Sequence, residues 1–224
     1  MRAAMIAGAS GLVGAELLRQ LLAAPDYTRV ISLGRRSLAV SHEKLEQITT
    51  TFTSLDVLGA DARFDDAFCC LGTTQRKAGS RENFRAVDQT AVLAFAWAAR
   101  RHGARRFFLV SALGANPGSR VFYSRVKGET EEALTVLGFE SLVIFQPSLL
   151  LGVRAERRLG ERFGAAALWL AEPFLRGQWR KYRAIEGAVV ARAMVRRATG
   201  PDPRGVQIIP SDEIQELGGF GVTM

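Results

Sequence analysis

Lysine is nearly missing from this basic chain. Of its 30 Lys and Arg residues only Lys44, Lys77, Lys127 and Lys181 are lysine, so a position that keeps lysine where arginine is the default asks for a reason. Cysteine is scarcer still. Cys69 and Cys70 are adjacent inside an apolar run, which excludes a disulfide framework and offers no metal-ligand spacing. That usage fits a reducing compartment, and a cytoplasmic location is expected. Long apolar runs are absent as well. The stretch at 163–175 is too short for a bilayer and contains Glu172 and Pro173, so no membrane span is expected. Near the N-terminus an apolar run is broken by Gly8, Gly11 and Gly14 and followed by Glu16 and Arg19, which argues against a secretory signal. No segment is Ser/Pro-rich or low in complexity, which excludes extensive disorder.

What is present suits a single globular unit. The 224 residues, 48% hydrophobic and 23% charged, fit one domain over 1–224, with 153–224 contributing the substrate side. The formal charge of +8 permits an anionic partner. Arginine is nevertheless spread in pairs (Arg35 and Arg36, Arg100 and Arg101, Arg105 and Arg106, Arg157 and Arg158, Arg196 and Arg197), and only 176–183 interleaves a basic cluster with aromatics. Solvated helix faces explain that distribution, and no nucleic-acid partner is expected.

Short apolar runs alternate with longer amphipathic ones, the pattern of βαβ units in a doubly wound parallel α/β sheet of Rossmann type. Strands are expected at 3–8, 29–34, 46–52, 65–72, 105–112, 141–148 and 205–210, and helices at 12–24, 81–103, 124–138, near 155–175 and at 184–199. The C-terminal part is expected to be a small, mostly helical substrate region.

Between the first strand and the first helix lies "GASGLVG", which spaces Gly8, Gly11 and Gly14 three apart and encloses Ser10, Leu12 and Val13. Glycine there allows a tight turn, close backbone approach to a pyrophosphate and packing of helix on strand, while the helix start offers free N–H groups to the anion. A dinucleotide site follows from that position. About 20 residues past the last glycine an NAD site places a carboxylate. Here Gly34 is followed by Arg35 and Arg36, whose guanidinium forks suit the 2′-phosphate of NADP, so NADPH is the expected cofactor. Asp56, and Leu71, Gly72 and Thr73 at the end of the fourth strand, fall where the crevice of such a fold lies.

Lys127 stands four residues after Tyr123 at the start of an expected helix, so both lie on one face. Three Tyr and four Lys in 224 residues give roughly 0.05 such pairs by chance. Ser111 ends the fifth strand, on the edge of the sheet where ligands bind. A nearby ammonium favours phenolate, so Lys127 is expected to lower the Tyr123 pKa toward acid/base work, with Ser111 hydrogen-bonding a carbonyl oxygen.

These residues resemble the short-chain dehydrogenase/reductase superfamily. The stretches "FCCLGTT", "FRAVD", "FLVSALGA", "FYSRVKGETEEAL" and "FQPSLLLG" are similar to its atypical branch, typified by the Tat-interacting protein family of oxidoreductases, over residues 3–152 and more loosely beyond. The resemblance implies a Rossmann fold, NADPH binding, a catalytic set of Ser111, Tyr123 and Lys127, and Gln146, Pro147 and Ser148 against the nicotinamide. Asp88 departs from the wider superfamily, many members of which carry Asn on that helix in a proton relay. Two functions remain open: a reductase acting on a carbonyl-like small molecule, and an NADPH-binding regulatory or sensor protein acting through partners. A homodimer or another protein partner is compatible with either.

Overall fold

The computed structural model describes residues 1–52, 55, 58–59, 61–151, 177–201 and 204–219. Its centre is a seven-stranded sheet formed by β1 (Arg2–Ala7), β2 (Tyr27–Gly34), β3 (Leu45–Thr49), β4 (Asp66–Cys69), β5 (Arg106–Val110), β6 (Ser141–Gln146) and β9 (Gly205–Pro210). The order is β3-β2-β1-β4-β5-β6-β9, with every pairing parallel. Parallel strands need crossovers that cover both faces, which is why β4 and β5 are buried at every residue. The order reverses between β1 and β4, and in open α/β sheets ligands bind outside the carboxyl ends of the strands at such a point.

Helix α1 (Leu12–Ala23) buries Val13, Leu17, Leu18, Leu21 and Leu22, and it stops because Pro25 forces Ala24 into extended backbone. The expected helix at 81–103 is in fact several pieces. A single turn α2 (Gln75–Ala78) precedes α3 (Arg81–Arg85), a π-helical turn spans Ala86–Thr90, and α4 (Ala91–Arg101) continues to Gly103, whose φ of +87° ends it. Helix α5 (Phe122–Thr135) begins two residues earlier than expected. In a small parallel pair, β7 (Leu150–Leu151) with β8 (Ile185–Glu186), the second strand takes the first residues of the helix expected at 184–199, so α6 (Gly187–Thr199) starts only after it. Helix α7 (Ser211–Gly218) follows β9. The expected helix near 155–175 lies outside the described residues. Among these, no helix is long and apolar enough to cross a membrane.

Two cores sandwich the sheet. On one face Ile6, Leu17, Leu21, Phe68, Phe108 and Met194 join α1 and α6 to the strands, with Phe68 stacked on Phe108 at 4.8 Å between centroids. On the other, Phe95, Phe107, Leu134 and Leu142 pack α4 and α5. At the amino ends of the strands, fully buried Asp66 receives Arg106 Nε at 2.6 Å and Nη2 at 2.7 Å, and the Tyr27 hydroxyl at 2.5 Å. Arg2 adds an ion pair to Asp66 at 3.6 Å, so four parallel strands are tied at one edge. Residues 205–210 form the outermost strand of this same sheet.

Candidate active site

The opposite, carboxyl edge carries the glycine turn. Gly8 has φ +86°, and a Cβ there would stand 2.5 Å from the Cys70 carbonyl oxygen, so the ends of β1 and β4 touch backbone to backbone. A Cβ on Gly14 would lie 2.1 Å from Gly8 O. The turn closes through Gly11 N–H to Gly8 O at 3.0 Å. Gly11 caps α1 without a side chain, and Ser10 and Gly11 are exposed at the lip. The first-turn N–H groups of Leu12, Val13 and Gly14 therefore lack intrahelical partners, the arrangement that receives a phosphate. A dinucleotide pyrophosphate fits these residues.

Arg35 and Arg36 emerge exposed at the end of β2, next to β1 in the sheet. Asp56 lies outside the described residues, as do 153–176, the first part of the region expected to form the substrate side. Leu71, Gly72 and Thr73 follow β4 at the crevice, with Gly72 exposed. A Cβ on Gly72 would stand 3.4 Å from Asp88 Oδ1 and 3.6 Å from Lys127 Nζ.

Lys127 is buried, and its Nζ sits 2.7 Å from Asp88 Oδ1. The π-helical turn brings Asp88 inward, where Oδ2 also accepts the Thr73 N–H at 2.8 Å. Burial alone would push the Lys127 pKa down, but the charges of Asp88 and Tyr123 and the hydrogen bond to Asp88 outweigh it and hold the ammonium above its ordinary value. Tyr123 packs its ring 5.5 Å from Phe84. Its pKa is raised, first by burial; Lys127 lowers it and Asp88 raises it. The expected lowering of the phenol pKa is therefore corrected: Lys127 acts with the expected sign, but burial prevails and Asp88 shares the lysine's charge.

Ser111 is buried at the end of β5 and donates its hydroxyl to Glu131 Oε1. Gln146 Nε2 reaches both oxygens of that carboxyl, at 3.1 and 3.0 Å. Burial pushes the Glu131 pKa up, against the lowering effects of Ser111, Gln146 and Lys127. Sequence reasoning missed Glu131, although it lies four residues after Lys127 and eight after Tyr123, on the same helix face. Pro147 is buried and its carbonyl accepts the Leu113 N–H at 2.9 Å. Ser148 is occupied elsewhere: it donates to Arg183 O and receives Ser211 Oγ at 3.0 Å, tying the end of β6 to α7. Gly128 lets the loop after Ser111 lie on α5, since a Cβ there would be 2.2 Å from Pro117 N. The thiols are not reactive groups: burial pushes Cys69 up to about 12 and Cys70 well above its ordinary value.

Residues 8–135 match the family described as NAD(P)H-binding. The protein HTATIP2 of Rattus norvegicus is 35% identical, over 97% of this chain and 89% of its own, in agreement with the motif resemblance. The mitochondrial protein FMP52 of Eremothecium gossypii is 34% identical over 96% of each chain. Among solved structures, the Bordetella bronchiseptica enzyme WbmH in complex with NAD+ shares the fold, with a TM-score of 0.69 at 17% identity over 97% of this chain and 80% of that one. Further fungal relatives carry the mitochondrial name, which overturns the cytoplasmic expectation. Cysteine usage separates reducing from oxidising surroundings and does not distinguish one reducing compartment from another.

Proposed function

Because the chain belongs to the NAD(P)H-binding family of short-chain dehydrogenase/reductase type, we propose that it is an NADPH-dependent oxidoreductase reducing a carbonyl-like small molecule. One observation carries this reading. A buried ammonium, Lys127, stands 2.7 Å from Asp88 at the mouth of the crevice opened by Gly72, on the helix that also bears Tyr123.

When bound, the dinucleotide supplies a hydride to an electrophilic carbon. The chain supplies the rest. The turn of Gly8, Gly11 and Gly14 with the N–H groups of Leu12 and Val13 holds the pyrophosphate, and Arg35 with Arg36 grips a 2′-phosphate. No carboxylate stands in their place to favour the free 2′-hydroxyl of NADH. Lys127 meets the ribose hydroxyls. Tyr123, protonated through the neutral range because its pKa is raised, gives its proton to the substrate oxygen that Ser111 orients. Residues 153–224 contribute the substrate side of a single domain.

Binding without turnover is a second reading. One observation favours it: the Ser111 hydroxyl is already given to Glu131. Calorimetry with NADPH and NADH, followed by NADPH with a panel of aldehydes, ketones and quinones, separates the two. Failure to bind either dinucleotide overturns both; tight binding with no NADPH oxidation by any carbonyl supports the second.

A further inference from the structure

A serine hydroxyl has one proton to give. In the structure that proton goes to Glu131 Oε1, while Gln146 Nε2 covers the carboxyl's two oxygens at 3.1 and 3.0 Å. An ionised carboxyl is acceptor only, so opposite it Ser111 must donate inward and can only accept from a ligand. A carbonyl oxygen brings no proton, and such a Ser111 cannot hold it. A protonated Glu131 reverses the bond: its O–H donates to Ser111 Oγ, and the serine proton becomes free for the carbonyl. The one cation acting on Glu131 from its own helix is Lys127, already paired with Asp88 on the π-helical turn; from β5 and β6 the groups facing it are the neutral Ser111 and Gln146. Glu131 itself is 8% exposed, so burial favours its neutral form.

We propose that Glu131 is a positioning residue whose protonation decides the direction in which Ser111 donates: outward to a carbonyl when Glu131 is protonated, inward when it is ionised. This rests on the reading of Ser111 as the group that orients the substrate oxygen. The proton comes from solvent, so a carbonyl ligand binds with proton uptake, whereas an alcohol, which brings its own hydroxyl proton, suits the ionised form. The site thus favours reduction on the acid side of the Glu131 titration and alcohol oxidation on the basic side.

Infrared titration of the full chain, with the Glu131→Gln spectrum subtracted, reads the protonated carboxyl band and needs no substrate. The band is expected to persist to pH values above the ordinary Glu range. In Ser111→Ala it should persist higher still, since the lost donor had stabilised the carboxylate. A carboxyl that titrates at the ordinary value, or that ignores Ser111→Ala, overturns the proposal; if Glu131→Gln does not fold, the difference between wild type and Ser111→Ala gives the same decision. A kinetic arm uses NADPH with 9,10-phenanthrenequinone. The wild-type kcat should fall as pH rises through the infrared midpoint, and Glu131→Gln, whose amide N–H donates to Ser111 at every pH, should lose that fall. A variant that is slower by one factor at every pH, with the fall intact, marks a merely structural Glu131 and overturns the proposal. No quinone turnover by the wild type counts against the oxidoreductase reading, and the infrared result still decides the role of Glu131.

Discussion

Replacing Asp88 by Asn tests the buried pair at the heart of the site. Asp88 serves two donors, Lys127 Nζ at 2.7 Å and Thr73 N–H at 2.8 Å, and both charged side chains are sealed from water, at 0% and 6% exposure. Asparagine has one acceptor oxygen, so it satisfies one donor and turns an amide N–H toward the other. Removing one member of a buried pair costs about 3–5 kcal/mol, and the hydrogen bond that Asn retains puts the loss near the lower end, about 3 kcal/mol. In a chain of this length that lowers Tm by ~6–12 °C. The pH dependence is more diagnostic than the size. In the wild type Lys127 is held above its ordinary value, so the pair's stabilisation is complete below the unfolded lysine pKa of ~10.4 and fades as pH rises through the folded value. Without Asp88 burial prevails and depresses the folded pKa of Lys127. Charging it then opposes folding, and stability grows as pH rises and the lysine sheds its proton. Scanning calorimetry between about pH 6 and pH 9 measures both effects. An Asp88→Asn variant whose Tm stays within ~1 °C of wild type, or whose stability shows the wild-type pH slope, refutes the argument.

Lys127→Arg keeps the charge but replaces a compact ammonium with a wide planar fork, so NADPH binding should weaken and any turnover drop on the order of 10²-fold; unchanged affinity by calorimetry would leave the rare lysine without a cofactor role. The double variant Arg35→Ala/Arg36→Ala should lose about 10- to 100-fold in NADPH affinity and little in NADH affinity, and equal wild-type affinities for the two would remove the 2′-phosphate assignment. Gly14→Ala puts a methyl group 2.1 Å from Gly8 O, so the turn must open, with dinucleotide binding lost and about 1–3 kcal/mol of stability with it, measurable by urea unfolding. Tyr123→Phe should bind NADPH within about twofold of wild type while losing roughly 10²–10⁴ in kcat on any carbonyl found; retained kcat excludes Tyr123 as the acid.

Most of the sheet was legible because its inner strands announce themselves as short apolar runs, unlike the half-polar edge strand β3, and the glycine turn because its position between strand and helix has a steric reason. Boundaries strayed where tertiary contacts overrode pattern. The residues from 81 to 103 read as one helix, since a π-helical turn inserts a single extra residue without changing composition, and that insertion is what turns Asp88 toward Lys127. Ile185 and Glu186 read as helix because a two-residue strand is too short to show alternation; their pairing with Leu150 and Leu151 is visible only in three dimensions. Asp88 was recognised as a departure but not as the partner of Lys127, because 39 positions separate them in the sequence. Glu131 was hidden in an acidic run, "ETEE", that reads as a solvated face. Only the buried ends of β5 and β6 mark which of its glutamates points inward.

The ionic anchor around Asp66 has a bearing on how the protein can change. From Asp66 to Leu71, five residues along one strand and the loop beyond it, the chain rises about 16 Å, so the anchor and the crevice stand at opposite edges of the sheet. Substitutions that far apart, sharing no partner, add rather than interact. Pocket residues can therefore be exchanged by drift or by design while the anchor keeps the strands in register, and losses incurred in acquiring a new substrate can be offset at the distant edge. Refilling the Asp66, Arg106 and Tyr27 cluster with apolar side chains of matched volume is one such reserve, since buried ionic groups often give way to hydrophobic packing with no loss of stability.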